Sequence, residues 1–367
     1  MPDAAQAAKT WIPRYGRRAF LRLAAGTAAG LWLSSCRRTP GPITPEPIPG
    51  GLVDTATFRR APPWRLGRSS RGDVSSWMVM FSAHVEYGIQ EAYRSQFSHF
   101  FSRAANWDAN KQIEDIRILL SQPIDLLLID PLNSSVVAQG LKEAMAAGVP
   151  VILASTRAGG APFVSWVATD AEKRGAACAE WLSRTAPEGR PVILHSRWAA
   201  GETALWLRGV RQGLGQRSDS EPLVAECEWS VEGAQQAMSE LLQGADPVGG
   251  VIAQGGVLGR GVVQAYLEEG SPIPPIAGVD DWNGWLRTAQ QHKVRFLAQS
   301  GGANLGLRCV ELATQVLSGE TVPAFLDFPY QTFEQHDLLR YHRPELSDHY
   351  WAIHDLPEVW IERMFHL

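Results

Sequence analysis

Between residues 76 and 329 the chain alternates short apolar runs with stretches of helical period, the rhythm of parallel strands laid in a sheet and covered by helices. Ser76–Ala83 (SWMVMFSA) is predicted as the opening strand, followed by a polar turn, His84–Gly88, a short helix and a second strand over His99–Ala105. From Asp108 a helix places Ile113, Ile116 and Leu120 on one face, and the uninterrupted run IDLLLIDP then reads as a strand buried on both sides. A helix from Ser134 to Ala147, closed by Gly148, leads to a strand over Val149–Ala154. After Phe163–Asp170 the pattern repeats: a helix Ala171–Arg184, a strand Pro191–His195, a strand ending at Cys227-Glu228-Trp229, and a strand within Pro247–Gly256. The stretch Pro274–Gly306 holds two more strands around one helix, with Asp280 and Gln299 at the strand ends, and a last helix covers Leu305–Ser318.

This order predicts an α/β chain of doubly wound, Rossmann-like architecture with parallel sheets. Ligands of open parallel sheets lie outside the carboxyl ends of the strands. Candidates for contact are therefore Asp280 and Gln299 at strand ends and His84 and Tyr87 in the turn after the opening run, with Trp198, Trp206, Trp229 and Trp282 as the available ring faces. A carboxylate there accepts from two hydroxyls, an amide both donates and accepts, and an indole face stacks on a ring.

The N-terminal segment reads as an address. Residues 17–36 read RRAFLRLAAGTAAGLWLSSC: paired arginines, an apolar run from Leu23 to Leu33 too short to span a membrane comfortably, then Leu33-Ser34-Ser35-Cys36. Arg17-Arg18 looks like a twin-arginine export motif, and the last four residues match a lipobox whose Cys36 takes a diacylglyceryl chain. Residues 37–73 are rich in Pro and Gly and are expected to form a tether without a core of their own.

Composition narrows the function. The chain of 367 residues is 45% hydrophobic and 20% charged, with a formal net charge of -4, so no basic field is available for nucleic acid. It holds 14 Trp against 7 Tyr, which favours sites where an apolar face meets a polar ligand. Cys178, Cys227 and Cys309 have no metal-ligand spacing, and Cys178 and Cys309 read as buried free thiols. No cofactor and no metal is expected. His195 could be drawn with Glu202 or Asp280 as an acid–base pair, but no nucleophile elbow, no zinc motif and no phosphate-cradling loop accompanies it, so an enzyme is not expected.

Several short motifs, in register, carry a resemblance. Asp108–Ile116 (DANKQIEDI) is similar to a D-A-N-x-x-x-Q-I-x-D-I segment, Gly148–Ile152 to G-I-P-V-V, Ser165–Asp170 to a V-x-S-D-N crossover, Cys227–Trp229 to a strand ending in an aromatic, Gly278-Val279-Asp280 to G-[FV]-D, and Ala298-Gln299 to A-Q. The tail, HRPELSDHYW then LPEVW, resembles a P-x-L-P-D-x-Y-W extension. Together they resemble the ribose-type periplasmic solute-binding proteins, a type I periplasmic binding protein fold. The resemblance implies two lobes, 74–169 plus 300–328 and 170–299 plus 329–345, joined by a multi-strand hinge and followed by a C-terminal extension over 346–367, closing over a monosaccharide or polyol for delivery to an ABC permease; it adds Arg157 and Gly255 to the candidate contacts. With the lipobox it implies a monomer held by a lipid anchor on the outer face of a membrane or in the periplasm. A sensor presenting a small signalling sugar or nucleoside-like molecule to a membrane receptor is the alternative. Ser155-Thr156, Trp206 and Gly255 stand where the ribose type has charged or amide groups, which implies a ligand other than ribose itself.

Overall fold

The computed structural model describes residues 48–366 apart from 73–74, 133–134, 187, 197–199, 216–220 and 245–246. Cys36, the Arg17-Arg18 pair and Trp198 lie outside the described residues.

Two six-stranded sheets form the two lobes. The first runs β13-β6-β5-β4-β2-β3, with β2 Trp64–Ser70, β3 Phe97–Ala104, β4 Leu126–Asp130, β5 Val151–Ala154, β6 Ser165–Ala168 and β13 Phe325–Asp327, every neighbour parallel. The second runs β14-β11-β10-β9-β7-β8, with β7 Arg190–Ser196, β8 Leu223–Cys227, β9 Val248–Ala253, β10 Ile276–Val279, β11 Phe296–Gln299 and β14 Thr332–Glu334; only β14 is antiparallel. A two-residue ribbon pairs β1 Leu52–Val53 with β12 Val322–Pro323. The central strands are sequestered on both faces, which is why their sequences are continuously apolar: Leu126–Asp130 and Val151–Ala154 are buried throughout.

Two expectations are corrected here. Ser76–Ala83 is not a strand but the body of a helix, α1 Ser76–Tyr87, capped by the Ser75 hydroxyl, which accepts from Met78 N. The run lacks helical period because the helix is covered on both sides: Phe81 and Val85 enter the sheet core with Leu66 and Leu126, whereas Met80 and Ala83 pack on the C-terminal extension. The opening strand is instead Trp64–Ser70, inside the segment expected to be tether. It is the second strand in from the sheet edge, and Arg68 within it and Arg71 just past it are each 2% exposed.

Helices α2 Ala109–Leu120 and α3 Ser135–Ala146 cover one face of the first sheet, and α1 with α9 Leu305–Ser318 covers the other. In the second lobe α4 Ala171–Thr185 and α5 Ala200–Leu214 cover one face; α6 Val231–Leu242, α7 Gly256–Glu269 and α8 Asn283–His292 cover the other. Cys178 and Cys309 are free thiols inside these cores, and burial pushes Cys178 up to about 12. Among the described residues no helix is long and apolar enough to cross a membrane.

The chain passes between the lobes at 169–170, at 300–304 and at 328–331. The C-terminal extension makes a further passage. Residues 343–353 are fastened to the second lobe: Asn283 Nδ2 donates to the carbonyls of Arg343, Leu346 and Ser347 at 2.9, 3.1 and 3.1 Å, and Asp348 pairs with Arg287 and Arg260, each at 3.0 Å. Residues 354–365 are fastened to the first: Asp355 N donates to His84 Nε2 at 3.1 Å, and the Trp360 indole donates to Glu91 Oε1 at 2.8 Å. Between these anchorages Asp281 accepts from Ile353 N at 2.7 Å and from Gly301 N at 2.6 Å, joining the extension to the second crossing.

His84 therefore links stability to pH. It is fully buried, and burial lowers its pKa to about 4, below the ordinary 6.5. Between those values the unfolded chain binds the extra proton, so stability present above pH 6.5 is lost as pH falls toward 4. Protonation also removes the acceptor used by Asp355 N. Asp281, raised to about 7 by burial, acts with the opposite sign, losing stability as pH rises from the ordinary carboxylate range to about 7. The readout is accordingly a difference. Thermal unfolding of wild type and His84→Gln between pH 7 and 4.5 should show the wild type losing about 1.4 kcal/mol per pH unit more than the variant in the lower part of that range; parallel curves refute the linkage.

Candidate functional site

Three strand ends of the second lobe converge. Asp280 follows β10, Gly255 follows β9, and Trp229 follows β8. Asp280 is 7% exposed; its Oδ2 accepts from Gly256 N at 2.9 Å and its Oδ1 from Trp282 N at 3.3 Å. Burial raises its pKa, and those two N–H groups together with the charge of Arg174 act against the rise. Gly255 has φ +115°, and a Cβ there would lie 2.9 Å from Trp229 Cη2 and 3.2 Å from Asp280 Oδ2. The position thus requires glycine twice over, and its smallness lets the indole edge and the carboxylate share one corner. Trp229 is 40% exposed, an aromatic face at the rim of that corner.

Gln299 ends β11 with both halves of its amide turned toward α4: Oε1 accepts from Arg174 Nε at 3.2 Å and Nε2 donates to Arg174 O at 3.1 Å. The first lobe presents a second polar group. Arg71, just past β2, grips Asp130 at the end of β4 through Nε at 2.8 Å and Nη2 at 2.7 Å, and Nη2 donates to Ser155 Oγ at 3.3 Å. Ser155 has φ +64°, and Thr156 is turned away to donate to Pro131 O at 2.8 Å. The Arg157 guanidinium stacks on Trp166 at 4.5 Å, and Arg157 N donates at 3.3 Å to Oε1 of Glu202, which reaches across from the first turn of α5. Burial raises the pKa of Glu202, and the Arg157 N–H and the charges of Arg157 and Arg71 act against the rise.

Four expected contacts are placed elsewhere. Trp206 is 6% exposed in the core between α4 and α5 with Cys178, Ile193 and Val210. The two helices cross nearly backbone to backbone, a Cβ at Gly175 being 2.2 Å from Trp206 O, so the indole is enclosed. His84 and Tyr87 lie on α1 under the extension: His84 Nδ1 bonds Met80 O at 2.7 Å, and Tyr87 meets Trp360 edge to face at 5.7 Å. Trp282 forms a bridge with Trp351 and packs into the second lobe beneath the extension. Its backbone N–H, not its ring, serves Asp280.

Arg71, Asp130, Arg174 and Glu202 are not among the expected contacts. Arg71 follows a strand that lies in the segment expected to be tether, and Arg174 sits inside an ordinary amphipathic helix pattern. Glu202 is expected only as a partner for His195, whereas it faces Arg157. The spacing signal available for Asp130 was its place as the last residue of LLLID, a charge at a strand end like Asp280.

Comparison with known proteins follows the same outline. The family model described as a periplasmic binding protein domain matches residues 75–321. The ribose import binding protein RbsB of Bacillus subtilis (strain 168) is 25% identical over 259 residues, covering 70% of this chain and 84% of that protein. The xylitol-binding protein of Mycolicibacterium smegmatis is 23% identical over 261 residues, covering 70% of this chain and 69% of its own length. Among solved structures, an ABC transporter solute-binding protein from Bacillus halodurans C-125 with bound myo-inositol superposes with a TM-score of 0.66 at 19% identity, over 77% of this chain and 98% of that one. One from Mycobacterium smegmatis with bound glycerol does so with 0.67 at 22%, over 79% and 99%. With the family model matched over residues 75–321 and two six-stranded α/β sheets joined by three passages, the chain belongs to the periplasmic binding protein family.

Proposed function

We infer that this protein is the substrate-binding component of an ABC-type importer and that its cleft takes a small polyhydroxylated ligand, a monosaccharide or related polyol. The observation that carries the reading is the corner made by Asp280, Gly255 and Trp229: a buried acceptor beside an aromatic face, with the backbone held back by glycine. Hydroxyls that leave water gain from such an acceptor, and a ring or carbon chain gains from the indole. The relatives named above are ribose and xylitol binders by name, and the solved structures hold inositol and glycerol, which supports a polyol over an amino acid or peptide. Binding, not catalysis, is the role. A thermal-shift screen with pentoses, hexoses, linear polyols and inositols tests it: one or more should raise the unfolding midpoint, and a flat response across all of them refutes it. A response to ribose alone refutes the narrower reading that the ligand is not ribose.

The protein is proposed to be exported and tethered on the outer face of a membrane or in the periplasm through a lipid on Cys36. The support is the Leu33-Ser34-Ser35-Cys36 sequence behind an apolar run and ahead of a Pro- and Gly-rich stretch. Cys36→Ser should move the protein from the membrane fraction to the soluble one; unchanged fractionation refutes the anchor.

A further inference from the structure

Arg174 occupies the first turn of α4, within reach of the passages at 169–170 and 328–331 and of Gln299, the strand residue that leads into the passage at 300–304. Nη1 donates to Thr169 Oγ1 at 3.4 Å, Nε to Gln299 Oε1 at 3.2 Å, and the guanidinium carbon lies 5.8 Å from the Tyr330 ring centre. It is half-buried, and its partner Gln299 ends β11, which lies beside β10 with Ala298 opposite Val279, so the guanidinium stands one strand end away from Asp280. The guanidinium is a donor only and the ionised carboxylate an acceptor only, so a neutral group that serves both must accept on one side and donate on the other. A hydroxyl does this. We propose that Arg174 is a ligand-reading, specificity-determining residue: one hydroxyl of the bound polyol accepts from the Arg174 guanidinium and donates to Asp280, closing a relay between the two.

The proposal reassigns Gln299. Both ends of its amide are committed to Arg174, the carbonyl to the side chain and the amino group to the helix backbone, so Gln299 is a positioning residue that orients the guanidinium. It also ties recognition to the hinge, because a ligand that orders Arg174 orders a side chain resting on two of the passages and on the strand end that leads into the third. Opposite charges of equal number at this point favour an uncharged ligand, since an anion would meet Asp280 and a cation Arg174.

The inference rests on the polyol reading, and its test separates the two. Calorimetry is performed with ribose, xylitol and myo-inositol and with the single-deoxy analogues of whichever binds best, on wild type, Arg174→Ala and Arg174→Lys. Arg174→Ala should weaken binding about tenfold and Arg174→Lys less, because an ammonium keeps the charge without the fork. One deoxy analogue, lacking the relay hydroxyl, should bind wild type about tenfold more weakly and lose little more in Arg174→Ala, whereas the other analogues lose the full factor. That non-additive cycle is a signature which a merely structural arginine would not produce. Equal losses with every analogue overturn the assignment of Arg174 while leaving the polyol reading intact. A wild-type chain that binds none of the three probes or other polyols of the screen overturns both.

Discussion

Asp280→Asn should lose at least a hundredfold in affinity for the best-binding polyol while its unfolding midpoint stays within a few degrees of wild type. The carboxylate already accepts from Gly256 N at 2.9 Å and Trp282 N at 3.3 Å, one bond on each oxygen. Each oxygen keeps capacity for a further donor. A hydrogen bond to a charged acceptor nets about 1.5–3 kcal/mol, so loss of two hydroxyl contacts reaches about 3 kcal/mol or more, which is over two decades in Kd. Asparagine preserves volume and keeps one acceptor oxygen for one of the two backbone N–H groups, so the fold loses one such bond, about 1 kcal/mol. Calorimetry with the strongest responder of the thermal-shift screen is the measurement. Unchanged affinity would remove Asp280 from the site and with it the corner on which the functional reading stands.

What could be read in the chain beforehand followed from how uniformly each segment is surrounded. Leu126–Asp130 and Val151–Ala154 are enclosed by helices on both faces, and their unbroken apolar character marks them as strands. The same uniformity misled at Ser76–Tyr87, a helix pressed between the first sheet and the extension, where apolar residues on every side erase the helical period. Trp64–Ser70 failed for the opposite reason. Its buried arginines and the neighbouring prolines gave it a polar, linker-like composition, although Arg71 is neutralised by Asp130 from the adjoining strand, a long-range pairing that no local pattern reveals. Asp280, Gly255 and Trp229 were legible because each directly follows a well-marked strand. Trp206 was not, because one helical position decides whether an indole faces a cleft or a neighbouring helix.

Replacement of Trp351 by Ala should be the most destabilising change outside the sheet cores, about 3–5 kcal/mol, which lowers the unfolding midpoint by roughly 6 to 20 °C. Its ring is 8% exposed, its indole donates to Ser76 Oγ on the first lobe at 3.0 Å, and its backbone bridges Trp282 of the second. It covers Gly301 in the second passage so closely that a Cβ there would sit 2.2 Å from Trp351 Cζ3. The residue therefore holds the extension, both lobes and a hinge strand at one point. Loss of the ring should both leave a cavity and loosen the additional tie, so ligand-free Trp351→Ala should show a larger radius of gyration in solution scattering than wild type, reduced again by saturating ligand. Gly301→Ala separates the two effects, since it deletes no apolar atoms yet displaces the ring; it should reproduce the expansion with a smaller loss of stability. Leu339→Ala, at a side chain 79% exposed, should change neither. If Trp351→Ala and Gly301→Ala both scatter as wild type does, the extension covers the hinge without restraining it, and opening is governed by the other three passages alone.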